Sequence, residues 1–209
     1  MEIKNILLSA DHIFKYKMNQ KDLSNLPNNL RPKTIEESYK IQAELKLLYL
    51  NLKDNYCIGK KVGCTNKLAQ QQINVFEPFY GNLFSKFSKI SGCKLKSSKF
   101  FKPYIEPEIS FRIKSDIDIN EAPYNFEDAE KLFDGILPSI EIVDFRLGKN
   151  IKDVGIRNLI LLNGASEYWI RGNQIFNQNI INLNDQEINL FINEKLVSKG
   201  NTNLVLDNP

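Results

Sequence analysis

Apolar and polar residues alternate strictly along one stretch of the chain, from position 105 to position 113. The odd-numbered positions are apolar or proline, and the even-numbered positions are polar. Alternation with period two predicts a β-strand with one buried apolar face. Residues i and i+2 of a strand point the same way, roughly 6–7 Å apart, so Glu106 and Glu108 share the other face. This pair fits either a solvated strand face or two ligands of a shared cation.

Apolar residues at helical spacing predict helices at four places. The clearest has Thr34 as N-cap and Glu37 three residues later, which is a capping box, followed by Ile41 and Leu45 on one face. The other three predicted helices cover residues 5–17, 67–75 and about 125–135.

Further strands are predicted around positions 58–65, 136–146 and 168–170, with a hairpin over positions 187–197. Glu141 lies among apolar and β-branched residues in the second of these, which indicates a buried strand. An unpaired buried charge is costly, so Glu141 needs a partner. Arg146 or Lys61 would serve structurally, and a metal ion shared with Glu106 and Glu108 is the functional alternative.

Two glycines bracket two lysines in Gly59-Lys60-Lys61-Val62-Gly63. Glycine lets a backbone approach a ligand closely, and a lysine held there is a candidate anion contact or proton carrier. The alternative is a strand bordered by turns with solvated lysines. The pattern lacks the spacing of a nucleotide P-loop.

Composition narrows the class of protein. The 209 residues are 42% hydrophobic and 25% charged with a net charge of +3, which is typical of a globular domain and too weakly basic to predict nucleic-acid binding. The three cysteines (Cys57, Cys64 and Cys93) have neither disulfide-framework nor zinc-knuckle spacing and fit a reducing cytoplasm. No apolar run is long enough to predict a membrane span or a signal peptide.

Two features outside the acidic strand were candidates for other chemistry. Lysines interleaved with phenylalanines between positions 84 and 102 are compatible with single-strand nucleic-acid binding, although a charged face over a buried aromatic edge is commoner. His12 is the single histidine and lies off the apolar stripe of its helix, which argues against a mechanism with a histidine base.

Four segments in this order resemble the 2-keto-4-pentenoate hydratases and 4-oxalocrotonate decarboxylases of the fumarylacetoacetate hydrolase superfamily. The segments are 31–42 (RPKTIEESYKIQ), 59–65 (GKKVGCT), 105–109 (IEPEI) and 137–144 (LPSIEIVD). The resemblance runs from about residue 30 to the end of the chain. It includes the related 2-oxo-hepta-3-ene-1,7-dioate hydratases.

The resemblance implies an α+β fold: a mixed β-sandwich roll, residues 57–209, behind a helical amino-terminal part, residues 1–56. Members of the family continue beyond the segment that matches positions 206–209 into a helix and closing strands. It therefore implies that the closing strands of the roll are missing here. Family precedent also implies a cytoplasmic homo-oligomer.

The resemblance further implies a site and a reaction. Glu106, Glu108 and Glu141 match the ligands of Mg²⁺ or Mn²⁺, Lys61 matches a lysine that handles protons, and Tyr80, Gly81 and Asn163 are the expected substrate contacts. The substrate would be a small 2-oxo or 2-hydroxy-dienoic acid, hydrated through a metal-stabilised enolate. A decarboxylase of the same family, a non-catalytic remnant and one half of a split enzyme are the alternatives.

Two positions depart from the hydratase pattern. Phe79 stands where some hydratases carry an acidic residue, and Leu162 stands where many carry aspartate. Both changes remove acidic groups that would help to activate water. The hydrolase branch of the superfamily uses a histidine base, and His12 is the only candidate here.

Overall fold

A computed structural model describes the chain except for residues 25, 148–153, 178–181 and 207–209. The described part contains five α-helices and eight β-strands. The helices are α1 (Ile3–Met18), α2 (Ile35–Leu50), α3 (Lys67–Ile73), α4 (Phe126–Glu130) and α5 (Gly155–Leu161). The strands are β1 (Cys57–Gly63), β2 (Phe79–Phe84), β3 (Ser88–Ile90), β4 (Pro103–Ile113), β5 (Phe133–Asp144), β6 (Ser166–Arg171), β7 (Glu187–Ile192) and β8 (Lys195–Asn201).

The predicted capping box begins α2. The Thr34 hydroxyl accepts a hydrogen bond from the Glu37 backbone N–H at 3.1 Å, and the Glu37 carboxylate accepts one from the Lys33 N–H at 2.6 Å. The first bond satisfies a donor that the first turn of a helix leaves free, and the second ties Lys33, the residue before the N-cap, to that turn. Ile41 and Leu45 are buried on the inner face as the spacing predicts.

The strands form three separate sheets. The largest is four-stranded in the order β3-β6-β5-β4, with β3 parallel to β6 and the other pairs antiparallel. β1 pairs with β2, and β7 pairs with β8 in the predicted hairpin. β4 is therefore an edge strand of the four-stranded sheet among the described residues.

The core lies between the helical layer and the inner faces of β2 and β5. It is built from α1, α2 and α5 with the following buried side chains: Ile6, Ala10, Ile13, Ile41, Leu45, Tyr49, Phe79, Phe84, Val143, Leu159, Ile160 and Leu161. Burying these apolar groups orients β1, β2 and β5 relative to one another. That orientation sets the geometry of the site.

Two expectations about local structure were wrong. The apolar face of β4 is only partly buried: Ile105 is 44% and Ile113 49% exposed, whereas Phe111 in the middle is half-buried against Phe133. No described strand or helix layer covers the whole face. The helix expected around positions 125–135 ends at Glu130. Phe133 and Gly135 belong to β5, because their pairing with β4 outweighs the helical pattern.

None of the described helices is long and apolar enough to cross a lipid bilayer. The division into a helical part and a β-roll stays a prediction.

Candidate metal centre

Antiparallel pairing of β4 with β5 brings the predicted acidic residues together. Glu106 lies opposite Glu141, and Glu108 lies opposite Ser139. Paired residues on neighbouring strands project from the same face of the sheet. One carboxylate oxygen from each of the three glutamates lies within 4.8 Å of the others. The sequence spacing and the sheet register together therefore produce a carboxylate triad.

Glu141 is the buried member of the triad. Its side chain is fully buried, and its Oε2 accepts a hydrogen bond from the Lys61 ammonium across a buried ion pair. Its Oε1 is buried and has no hydrogen-bond partner within the described part of the chain. An unsatisfied buried carboxylate oxygen is costly, and a cation bound by the triad would satisfy it.

Lys61, and not Arg146, is the structural partner of Glu141. Arg146 is buried elsewhere, with Nη2 at 2.7 Å from Asp144 Oδ2 and Nε at 3.2 Å from Glu167 Oε1. Of the two candidate partners from sequence, the structure thus excludes the arginine.

The other two carboxyl groups are held in an environment that disfavours negative charge. Burial, followed by the charge of Glu141, raises the pKa of Glu108 to about 8. Glu106 as a residue is exposed at the sheet surface, yet partial desolvation of its carboxyl group raises the pKa of Glu106, with the Lys61 ammonium opposing this rise and the charge of Glu141 adding to it. Crowded carboxylates of this kind are stabilised in their charged form when a cation lies between them.

Lys61 stays positively charged beside the triad. Burial alone lowers its pKa, but the charges of Glu141 and Glu106 and the hydrogen bond to Glu141 outweigh burial, so the pKa is raised. A Cβ on Gly164 would lie 3.0 Å from Lys61 Nζ, and one on Gly81 would lie 3.1 Å from Lys61 Cγ. Glycine at both positions leaves the space that the lysine side chain occupies.

Asn163 has both ends of its amide occupied by the main chain of β2. Its Oδ1 accepts from the Asn82 N–H at 2.6 Å, and its Nδ2 donates to the Asn82 carbonyl at 2.9 Å. Asn163, Gly164 and Ala165 all have left-handed backbone angles, with φ of 57°, 67° and 57°. This turn holds Gly164 against Lys61. The expected contact of Asn163 with substrate stays a prediction.

The Tyr80 side chain lies on the opposite face of β2 from the position of its neighbour Gly81. Its ring stacks on Tyr39 with centroids 4.6 Å apart, and Lys60 Nζ lies 5.0 Å from the ring centroid. Since consecutive strand residues face opposite sides, the Tyr80 side chain is not brought to the face that carries Lys61. The expected contact of Tyr80 with substrate stays a prediction.

Sequence reasoning missed Gln42 and Asn82. Gln42 Nε2 donates to the Tyr80 carbonyl at 3.0 Å and to the Ile160 carbonyl at 2.9 Å, which joins α2 to β2 and α5. The Asn82 side chain accepts from Lys60 Nζ at 2.6 Å. The position of Gln42 on the buried side of α2, and the Asn-Gly pair at positions 163–164, were the available sequence signals. Neither signal specifies the hydrogen-bond partner of Gln42 or Asn82.

These residues fit a divalent cation of the hard type. Three carboxylates offer oxygen ligands from two adjacent strands, with one buried oxygen unsatisfied. Mg²⁺ and Mn²⁺ prefer oxygen ligands and keep coordination positions for water or substrate. Fold and site together define an α+β protein with a carboxylate cluster that could hold a metal ion and a buried lysine next to it.

Comparison with known proteins gives relatives of one kind. No family model matches the chain. The chain is 26% identical over 204 residues to 4-oxalocrotonate decarboxylase of Pseudomonas sp. strain CF600, covering 98% of this chain and 75% of that protein. It is 29% identical over 155 residues to 2-hydroxyhexa-2,4-dienoate hydratase of Comamonas testosteroni, covering 73% of this chain and 56% of that protein.

The fold matches a solved structure over its whole described course. A 4-oxalocrotonate decarboxylase from Pseudomonas putida G7, complexed with magnesium and adipate, superposes with a TM-score of 0.89 at 24% identity. The match covers 100% of this chain and 77% of that one. The chain is therefore similar to the 4-oxalocrotonate decarboxylases and 2-keto-4-pentenoate hydratases, which supports the family indicated by the four sequence segments.

Proposed function

We propose that the protein is a divalent-metal-dependent lyase of 2-oxo acids, and that its reaction is the hydration of 2-hydroxy-2,4-dienoates. The observation that carries the proposal is the meeting of three carboxylates with a buried ammonium, Lys61, on one face of a sheet. The relatives named as hydratases support it.

Glu106, Glu108 and Glu141 would hold Mg²⁺ or Mn²⁺. The bound ion would supply Lewis-acid stabilisation of the negative charge that develops on the substrate carboxylate and 2-oxygen. The magnesium-bound solved decarboxylase supports this cofactor. The superfamily roll, the cytoplasmic location and the homo-oligomer implied by the resemblance belong to the same proposal.

Lys61 is the proton carrier in this proposal. Its raised pKa keeps Nζ an ammonium at neutral pH, so it enters the reaction as a proton donor and a positive charge. Gly81 and Gly164 hold its side chain in place through close packing. Its ion pair with Glu141 orients Nζ toward the triad.

Decarboxylation is the second candidate, and two observations favour it. Phe79 and Leu162, at the positions where hydratases of the resembling family carry acidic residues, are both buried and apolar. Release of carbon dioxide requires no activated water molecule. The decarboxylase relatives also align with nearly the whole chain, whereas the hydratase relatives align with about three quarters.

The test is a rate measurement with two substrates. The purified 209-residue chain is supplied with Mg²⁺ and either 2-hydroxypenta-2,4-dienoate or 4-oxalocrotonate, and loss of substrate absorbance and release of carbon dioxide are followed. We expect turnover of one substrate that chelator abolishes and that Glu106→Gln reduces at least a hundredfold. Glu130→Gln, an exposed carboxylate on α4, is the matched control.

Equal rates for the wild type and Glu106→Gln would overturn the proposal. Turnover by the chain alone would exclude the remnant and split-enzyme alternatives. The product distinguishes hydration from decarboxylation.

A further inference from the structure

Lys17 is a largely buried lysine in the last turn of α1, outside the candidate metal centre. Its side chain is 12% exposed, and its Nζ donates a hydrogen bond to the main-chain carbonyl of Ser166 and lies 3.7 Å from Glu167 Oε1. Burial alone lowers the pKa of Lys17, but neighbouring groups, the Glu167 carboxylate first among them, raise it overall. Lys17 is therefore an ammonium at neutral pH that joins the end of α1 to the start of β6.

Glu167 meets Lys17 because β6 is irregular at this point. The pairing of β5 with β6 shifts by one residue here, so Glu167 is the extra residue of a β-bulge. A bulge bends its strand and redirects the side chain of the extra residue. The Glu167 carboxylate is buried, and its Oε1 also lies 3.2 Å from Arg146 Nε. The start of β6 is thus fixed by a buried cluster of charges.

The three residues before Ser166 form a strained turn. Asn163, Gly164 and Ala165 have φ of 57°, 67° and 57°, a region that residues with a Cβ seldom adopt. Such a backbone persists only when the surrounding structure holds it in place. On the entry side, the Asn163 amide group is hydrogen-bonded to the main chain of Asn82. On the exit side, Lys17 holds the Ser166 carbonyl.

This turn packs directly against the Lys61 side chain. A Cβ on Gly164 would lie 3.0 Å from Lys61 Nζ and 3.2 Å from Lys61 Cε. In a close-packed interior, a shift of the turn must move the neighbouring side chain or leave a gap beside it. The position of the turn therefore affects where Nζ lies relative to Glu141, its ion-pair partner.

We propose that Lys17 is a positioning residue for Lys61: by holding the Ser166 carbonyl, it keeps the turn of residues 163–165 closed on the Lys61 side chain. The other described neighbours of Lys17 Nζ include the rings of Tyr49 and Phe87, whose centroids lie 5.6 and 5.7 Å away. The influence of Lys17 on the site therefore passes through the turn. The inference rests on the proposed function, which makes Lys61 the proton carrier.

The first test is the kinetics of Lys17→Met with Mg²⁺ and the substrate that the wild type turns over, 2-hydroxypenta-2,4-dienoate or 4-oxalocrotonate. We expect kcat to fall about 10- to 100-fold, the effect of misplacing a reacting group by about 1 Å. KM should stay nearly unchanged, because the three glutamates that would hold the metal ion are intact. The unpaired Glu167 should also lower Tm by about 6–20 °C.

A double variant separates the loss of kcat from the loss of stability. Lys17→Met/Glu167→Gln leaves no unpaired buried charge at this place, so it should recover part of the lost Tm. It should not recover kcat, because the hydrogen bond to the Ser166 carbonyl is still absent. If Lys17→Met does not fold, the double variant serves as the test of kcat.

Amide hydrogen exchange of residues 163–166 in the metal-free protein reports on the turn without any turnover. We expect exchange to be about tenfold faster in Lys17→Met or the double variant, because the turn opens more often. The control for charge is Lys15→Met, an exposed lysine of the same helix, which should keep wild-type kcat and exchange. The control for stability is Ile6→Ala, which loses a core contact in the first part of α1; it should lower Tm comparably and keep wild-type kcat.

Several outcomes would overturn the inference alone. They are a wild-type kcat in Lys17→Met, an equal loss of kcat in Ile6→Ala, recovery of kcat together with Tm in the double variant, and unchanged exchange over residues 163–166. Absence of turnover by the wild type with both substrates would overturn the proposed function. In that case the exchange rates still decide whether Lys17 holds the turn.

Discussion

Removing the Lys61 ammonium leaves the most buried carboxylate of the site without its partner. Lys61→Met keeps most of the side-chain volume but deletes the hydrogen bond and ion pair that Glu141 Oε2 makes in the described structure. The other oxygen, Oε1, already lacks a partner there. Because Glu141 is fully buried, water cannot replace the lost ammonium without local opening.

The size of the effect can be worked out in two ways. Breaking a buried ion pair by removing one partner costs about 3–5 kcal/mol. The carboxyl group can escape that cost by taking up a proton, which for an ordinary glutamic acid at pH 7 costs about 3.7 kcal/mol. We therefore expect a loss of about 3–4 kcal/mol in the free energy of unfolding at pH 7. The loss should shrink by about 1.4 kcal/mol for each pH unit below that.

Urea unfolding in the presence of chelator, at pH 7 and pH 5, measures the loss. The double variant Lys61→Met/Glu141→Gln should recover at least half of it, because no buried charge remains. Lys60→Met, on the exposed side of β1, should lose less than about 1 kcal/mol. A loss below about 1 kcal/mol for Lys61→Met at pH 7, or a loss of equal size at both pH values, would refute the reasoning.

Three further outcomes are expected. Gly164→Ala and Gly155→Ala each place a side chain at positive φ and should each cost about 1–2 kcal/mol. Only Gly164→Ala should also reduce turnover, because its Cβ meets Lys61, whereas a Cβ at position 155 meets no described atom within 4 Å. Asn163→Leu leaves two buried main-chain groups of β2 unpaired and should lower stability by about 2–4 kcal/mol in urea unfolding; a loss under about 1 kcal/mol would contradict this. The Mg²⁺-induced rise in Tm should be larger at pH 8.5 than at pH 6. Because the pKa of Glu108 is raised, its contribution to metal-free stability is present below about pH 4.5 and is lost as pH rises towards about 8. At the higher pH the bound ion compensates for the charged carboxylate.

The sequence alone was sufficient for features determined by neighbouring residues. Alternation placed Glu106 and Glu108 on one face, and the pattern around Glu141 indicated a buried strand that needs a partner. The capping box at Thr34 gave the start of α2 because the bonds involved span only three and four residues.

Features that depend on contacts distant in the chain were not predictable. The hydrogen bonds between Asn163 and Asn82 join residues 81 positions apart, and no local pattern specifies them. The exposure of Ile105 follows from the lack of a covering layer over that face of β4 among the described residues, which alternation cannot report.

The position of β4 has a consequence for the order of the protein. Within the described chain this strand is hydrogen-bonded to one neighbour only, yet it carries Glu106 and Glu108, while Glu141 belongs to that neighbour. An ion held by all three glutamates would link the two strands, in addition to the backbone hydrogen bonds between them. Amide hydrogen exchange along β4 should accordingly slow when Mg²⁺ is added. The Mg²⁺ concentration would then determine how often β4 separates from β5, and therefore how readily proteases cleave the chain in β4.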